Sequence, residues 1–284
     1  MVFCRKSRLF HFGAIVSKTL KDEASRSFTF RHDNADCSAS QIAELTQTRN
    51  FTYDNVDRLT GMTNGTTTES YAYDDVGNRT SSHLSATYGY QSGEFNQLSS
   101  NASATMRYDA NGNTIQKSEG SKFWRYVWDY ENRLVEASTR KEKARYKYDA
   151  LGRRVERNLR SSKERTRFTH DGLDVVMDDD AETGITKYQN GLGIDDKLKR
   201  ANAGNPSYFL QDHLGSTVGL ANSSALVASS NAYDSFGNPT GNLASRYQFT
   251  GREHDDFSGL QFSRARYYDP KIGRFTSEDP IGFG

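Results

Sequence analysis

Tyr126-Val-Trp-Asp129-Tyr-Glu-Asn132-Arg-Leu-Val135 is answered, 20 residues on, by Tyr146-Lys-Tyr-Asp149-Ala-Leu-Gly152-Arg-Arg-Val155. In both stretches an aromatic residue precedes an Asp, and three positions after the Asp stands a residue that tolerates positive φ. Working outward, the pattern recurs as Tyr53-Asp54…Asp57, Tyr73-Asp74…Gly77, Tyr108-Asp109…Gly112, His170-Asp171…Asp174, Gln211-Asp212…Gly215 and Tyr233-Asp234…Gly237. The 35-residue gap between Asp74 and Asp109 holds a degenerate copy around Tyr88-Gly-Tyr90 and Phe95-Asn-Gln-Leu98. Self-similarity at a fixed period means one supersecondary unit stacked many times, so the chain reads as an array.

The unit is a β-hairpin. Asp with Gly, Asn or Asp three residues later suits a type I turn whose last residue goes left-handed and feeds a bulged hairpin. The carboxylate accepts hydrogen bonds from backbone N–H groups ahead of it, and Asn or Asp replaces Gly at positive φ. Before the turns, Phe51-Thr-Tyr53, Tyr71-Ala-Tyr73, Tyr126-Val-Trp128 and Tyr146-Lys-Tyr148 alternate rings at period two, which places both rings on one face of a strand. A lone hairpin cannot bury such a face; a stack can. The expected fold class is all-β, an array of stacked β-hairpins.

Hydrophobic content of 35% in 284 residues is low for a compact core, and the mean hydropathy is −0.82. Sixteen Tyr and sixteen Phe supply apolar area instead, as suits a thin sheet with one wet face. A net charge of +1, from 37 basic and 36 acidic residues, gives no electrostatic case for nucleic acid or an anionic membrane as main partner. The basic run from Arg153-Arg154 through Arg157 to Arg165 and Arg167, interleaved with acids, reads as a solvated strand face. Cys4 and Cys37 support neither a disulfide scaffold nor a CxxC metal site. The six His show no metal-ligand spacing, no G-x-S-x-G occurs, and Asn190-Gly-Leu-Gly193 lacks the G-K-[ST] of a phosphate loop. No metal and no cofactor is expected. The apolar stretch Leu9–Val16 is too short for a membrane span and is not followed by a small-x-small cleavage site.

The Tyr-Asp-x-x-Gly-Arg unit at this spacing resembles the YD repeat of the Rhs family. Asp212-His-Leu-Gly-Ser216 and Tyr247-Gln-Phe-Thr-Gly251-Arg-Glu-His-Asp255 are similar to further family segments. Ala265-Arg-Tyr-Tyr-Asp269-Pro-Lys-Ile-Gly-Arg274-Phe-Thr-Ser-Glu-Asp279-Pro-Ile-Gly282 is close to the signature of the RHS repeat-associated core. The resemblance implies hairpins wound into a spiralling shell, as in teneurin ectodomains, of which this chain would be an incomplete part. It divides the chain into a non-repeat or degenerate segment at 1–49, YD repeats at 50–174, an irregular insert at 175–206 and the core at 207–284. The implied role is a non-enzymatic fragment of a shell that encloses and delivers a C-terminal toxin in interbacterial competition or host attack. Implied partners are that toxin and a secretion machinery, with a secreted or cell-surface location.

In the family a self-cleaving aspartyl site pairs an Arg of the A-R-Y-Y-D-P string with two Asp residues. Carried over, the positions are Arg266 and Asp279, half of an autoproteolytic site; the second Asp would lie beyond residue 300. Two carboxylates divide the acid and base roles by sharing a proton, and one alone does this poorly. Asp255, Asp256 and Asp269 are available carboxylates, with turn capping the default role of Asp255 and Asp269. A rival reading is a carbohydrate or cell-surface binding module using rings such as Tyr126 and Tyr146.

Overall fold

The fold is taken from a computed structural model, which describes residues 14–21, 25–32, 48–91, 96–160, 162 and 164–280. Among the described residues three antiparallel sheets follow one another in sequence. The first has six strands, from Ala14–Lys21 to Arg79–Ser82; the second has fifteen, from Tyr88–Tyr90 to Val227–Ser230; the third has four, from Glu253–His254 to Arg274–Phe275. Strand order equals sequence order throughout, so each sheet is a meander without a crossover. Among the described residues the one helical element is the short 3₁₀ turn Phe249–Gly251.

The Tyr-Asp turns have the expected geometry. Asp149 Oδ1 accepts from the N–H groups of Leu151 and Arg153, at 3.0 and 2.9 Å, while the Gly152 N–H donates to Asp149 O. Asp54, Asp74, Asp109, Asp129, Asp212 and Asp234 make the same closure. The fourth position is left-handed at Asp57, Gly77, Gly112, Asn132, Gly152, Gly215 and Gly237. The Asp171 copy differs: positive φ falls on Gly172, and Asp171 pairs directly with Asp174. Asn222 heads a further turn of the same kind, with its Oδ1 accepting from Ser224 and Leu226 and Ala225 at positive φ.

Each such turn leaves a bulge, which puts the Tyr opposite a residue six positions on: Tyr53 with Leu59, Tyr108 with Thr114, Trp128 with Leu134 and Tyr148 with Arg154. A bulge removes a ladder hydrogen bond and strands a carbonyl. The next repeat supplies the missing donor. Tyr73 Oη donates to Leu59 O, Tyr90 Oη to Arg79 O, Tyr108 Oη to Leu98 O, Trp128 Nε1 to Thr114 O and Tyr148 Oη to Leu134 O, all at 2.7–2.8 Å. In these five hairpins the ring at the turn therefore fastens its own hairpin to the preceding one.

Residues 175–206, expected as an irregular insert, instead continue the sheet with strands Asp174–Asp180, Gly184–Asn190 and Lys197–Asn202. Their turns use other chemistry, so the rhythm vanishes while the hairpins persist. Asn202 and Asn205 are joined by Ala203-Gly204, both at positive φ as in a type I′ turn. The basic run is also not uniformly solvated, since Arg154 and Arg157 are buried. The bulge explains it: Arg154 faces Tyr148 and Arg157 faces Tyr146, so residues three apart share the inner face.

Candidate functional site

The inner face of the fifteen-stranded sheet is covered by the chain's own C-terminal segment. Trp124, Tyr126, Leu134 and Tyr146 from the wall form one core with Leu260 and Tyr267, joined by Phe257 and Phe262. Ile272 packs on Leu98 and Met106, and Leu243 and Tyr247 pack on Phe209 and Leu220. Tyr126 and Tyr146 are only 4% and 3% exposed. These two rings offer no stacking surface to a sugar, which corrects the carbohydrate reading based on them.

Cations of the wall hold this segment. Arg154, 1% exposed, meets Glu253 Oε2 at 2.5 Å through Nη2, donates from Nη1 to Tyr267 Oη at 2.9 Å, and lies over the Phe262 ring. Arg157 Nε and Tyr146 Oη both donate to Asp255 Oδ2 at 3.0 Å. Lys117 Nζ donates to Asp269 Oδ2 at 2.7 Å, and Arg79 donates to Ile272 O. Arg246 of the segment reaches back to Asp178 of the wall at 3.2 Å. Burial opposes ionisation of Asp255, but the fields of Arg157 and Arg154 outweigh it and hold the carboxyl below its usual range. At Asp178 burial prevails over Arg246 and the Tyr188 hydroxyl, so its pKa is raised.

Motifs that the sequence singled out seat this segment against the wall. Gly251 of Phe-Thr-Gly has φ +68°, and a Cβ there would meet Asp195 O at 2.7 Å, so the close approach of two backbones requires glycine. Asp255 and Asp269 each cap a turn through Oδ1 while Oδ2 takes the wall cation.

Arg266 and Asp279 are brought together: Nη2 and Oδ2 are 2.9 Å apart, with side chains 23% and 46% exposed. The Arg266 guanidinium also stacks on Phe275 at 3.7 Å. Asp256 is exposed near His254. Among the described residues no group of three or more His, Cys, Asp or Glu could hold a metal, and no helix is long and apolar enough to cross a membrane. Cys4, Cys37 and the stretch 9–13 lie outside the described residues, as does Phe95.

Sequence reasoning missed the clamping role of Arg79, Lys117, Arg154 and Arg157. For two of them a signal exists. Arg79 and Arg154 occupy the position five after the turn Asp, where other copies carry Leu59, Thr114, Leu134 or Thr217. A cation at a position that elsewhere faces inward announces a buried partner.

A meander of Tyr-Asp hairpins carrying this closure matches the model of the teneurin YD-shell over residues 14–174, more than half of the chain. The chain belongs to the teneurin YD-shell family. This YD-shell chain is 30% identical over 224 residues to the tRNA3(Ser)-specific nuclease WapA of Bacillus spizizenii, covering 74% of this chain and 9% of that protein. It is 27% identical over 275 residues to the double-stranded DNA deaminase toxin A of Burkholderia cenocepacia, covering 82% of this chain and 19% of that one. It spans about a tenth of the length of the WapA relatives. Among solved structures, the crystal structure of TcdB2-TccC3-Cdc42 shares its fold with a TM-score of 0.51 at 15% identity, over 95% of this chain and 17% of that chain.

Proposed function

We propose that this YD-shell chain is a non-catalytic section of the wall of a toxin-enclosing shell, carrying on its inner face the segment through which the wall meets its cargo. The observation that carries this is the buried clamp: four wall cations, Arg79, Lys117, Arg154 and Arg157, hold a C-terminal segment against the inner aromatic face. Relatives named as nuclease and deaminase toxins support a toxin as cargo. A relative named as a toxin also supports a location outside the producing cell. The pairing of Arg266 with Asp279 supports their reading as half of a cleavage site, completed by a carboxylate from a further segment.

The test is a chimera in which this chain replaces the matching section of the deaminase toxin A of Burkholderia cenocepacia. The deaminase part should stay resistant to trypsin in the intact chimera and become sensitive when Arg154 and Arg157 are both changed to Ala. A cargo cleaved at once in the unmutated chimera, with the sheet intact by circular dichroism, refutes a wall function.

A further inference from the structure

Between the turn tips of the wall and the C-terminal segment lies a cavity of about 410 Å³, walled in part by Leu151, Leu173, Val175, Phe262 and Tyr247. Five arginines border it, and each is ion-paired: Arg133 with Asp129, Arg153 with Asp149, Arg154 with Glu253, Arg252 with Asp195, and Arg264 with Asp195 and Asp174. Lys197, which also lines the cavity, forms no ion pair among the described residues.

The Lys197 side chain instead donates from Nζ to two neutral acceptors, Val175 O at 2.9 Å and Asn190 Oδ1 at 2.8 Å, with the Tyr247 and Tyr188 rings 4.6 and 5.3 Å away. The residue is 2% exposed. A neutral amine has two N–H bonds, and two acceptors use both and leave the lone pair free. Burial pushes the Lys197 ammonium down to about 8, offset in part by the charges of Asp174, Asp195 and Glu253 and reinforced by Arg264. The two acceptors hold the amine in place, and with no carboxylate paired to it among the described residues burial favours the neutral form.

We propose that Lys197 is a nucleophilic amine at the base of this cavity, and that it captures small apolar aldehydes as imines. The Nζ lone pair attacks the carbonyl carbon, and the C=O π electrons move to oxygen, which takes up a proton while Nζ gives one up. Loss of water from the resulting carbinolamine leaves C=N, so aldehyde and amine give imine and water with no oxidant or reductant consumed. The apolar walls receive the aldehyde's chain, and the carboxylates of Asp174, Asp195 and Glu253 favour a protonated imine.

Hexanal with cyanoborohydride, which reduces an imine to a stable secondary amine, tests this in the full chain, with peptide mapping by mass spectrometry. At a pH of about 8, Lys197 should be labelled about tenfold faster than Lys147 and Lys271, whose side chains are 68% and 58% exposed. Its labelling rate should level off above that pH while the exposed lysines continue to accelerate. Leu173→Arg, a change at a 60% exposed turn tip on the cavity wall, should suppress the Lys197 adduct with circular dichroism unchanged, and Lys197→Arg should abolish it. The proposal is overturned by Lys197 labelling no faster than Lys147, by labelling only in denaturant, or by Leu173→Arg reacting as fast as the wild type.

Discussion

Each Tyr-Asp step places a ring donor where the hairpin before it has a carbonyl to spare. Tyr148 Oη reaches Leu134 O at 2.7 Å, and Leu134 is the residue opposite Trp128 across the bulge. Tyr148→Phe keeps the ring and its packing but leaves that carbonyl without its donor, which should cost about 1–2 kcal/mol in urea denaturation. Tyr130→Phe, at a ring 87% exposed on a turn tip, should leave the midpoint unmoved. An equal effect of the two changes would show that ring packing, not the hydrogen bond, is what the repeat uses. The Asp and Gly roles were legible because a turn is decided within five residues. The phenol's partner was not, because it lies 14 residues back and exists only once the bulge has formed.

Elements that do not repeat joined the sheet by chemistry the repeat pattern does not contain. The strands of 174–202 pair in register although Tyr-Asp turns are missing, because Ala203-Gly204 and the turn at Gly172 close hairpins on their own. Similarly, the run from Arg153 to Arg167 looks evenly charged in sequence, but the bulge puts Arg154 and Arg157 on the inner face, while Arg167 on the next strand is 55% exposed. The clamp built on them is stringent. Removing the charge of Glu253 leaves Arg154 buried without its counter-ion, so Glu253→Gln should destabilise by about 3–5 kcal/mol. Adding Arg154→Met should recover most of that loss, since the stranded charge is then gone. A double variant no more stable than Glu253→Gln alone would mean that Arg154 matters through its stacking on Phe262 and not its charge.

At the scale of the molecule, the C-terminal segment lines one face of the fifteen-stranded sheet, and charge fixes this lining to that wall of strands. Most of this was foreseeable as an all-β array, and the core signature was readable as a unit. That the unit would lie on the aromatic face was not, because the cation and its carboxylate stand about a hundred residues apart, as with Arg157 and Asp255. The same charges set a response to acid. Asp255 has its folded pKa below the ordinary 3.8, so its stabilisation is complete above that value and is lost as pH falls through the folded pKa. Asp178 runs the other way: burial raises its pKa, so on acidification the relief of its desolvation outweighs the loss of its charged contact with Arg246. The lining should therefore loosen first around Asp255, where Phe257 packs on Trp124 with ring centroids 5.2 Å apart. Tryptophan fluorescence should shift to the red as pH falls below 3.8, ahead of any loss of β signal in circular dichroism. Simultaneous loss of both signals would mean that wall and lining unfold as one unit and that the Asp255 clamp has no separate yield point.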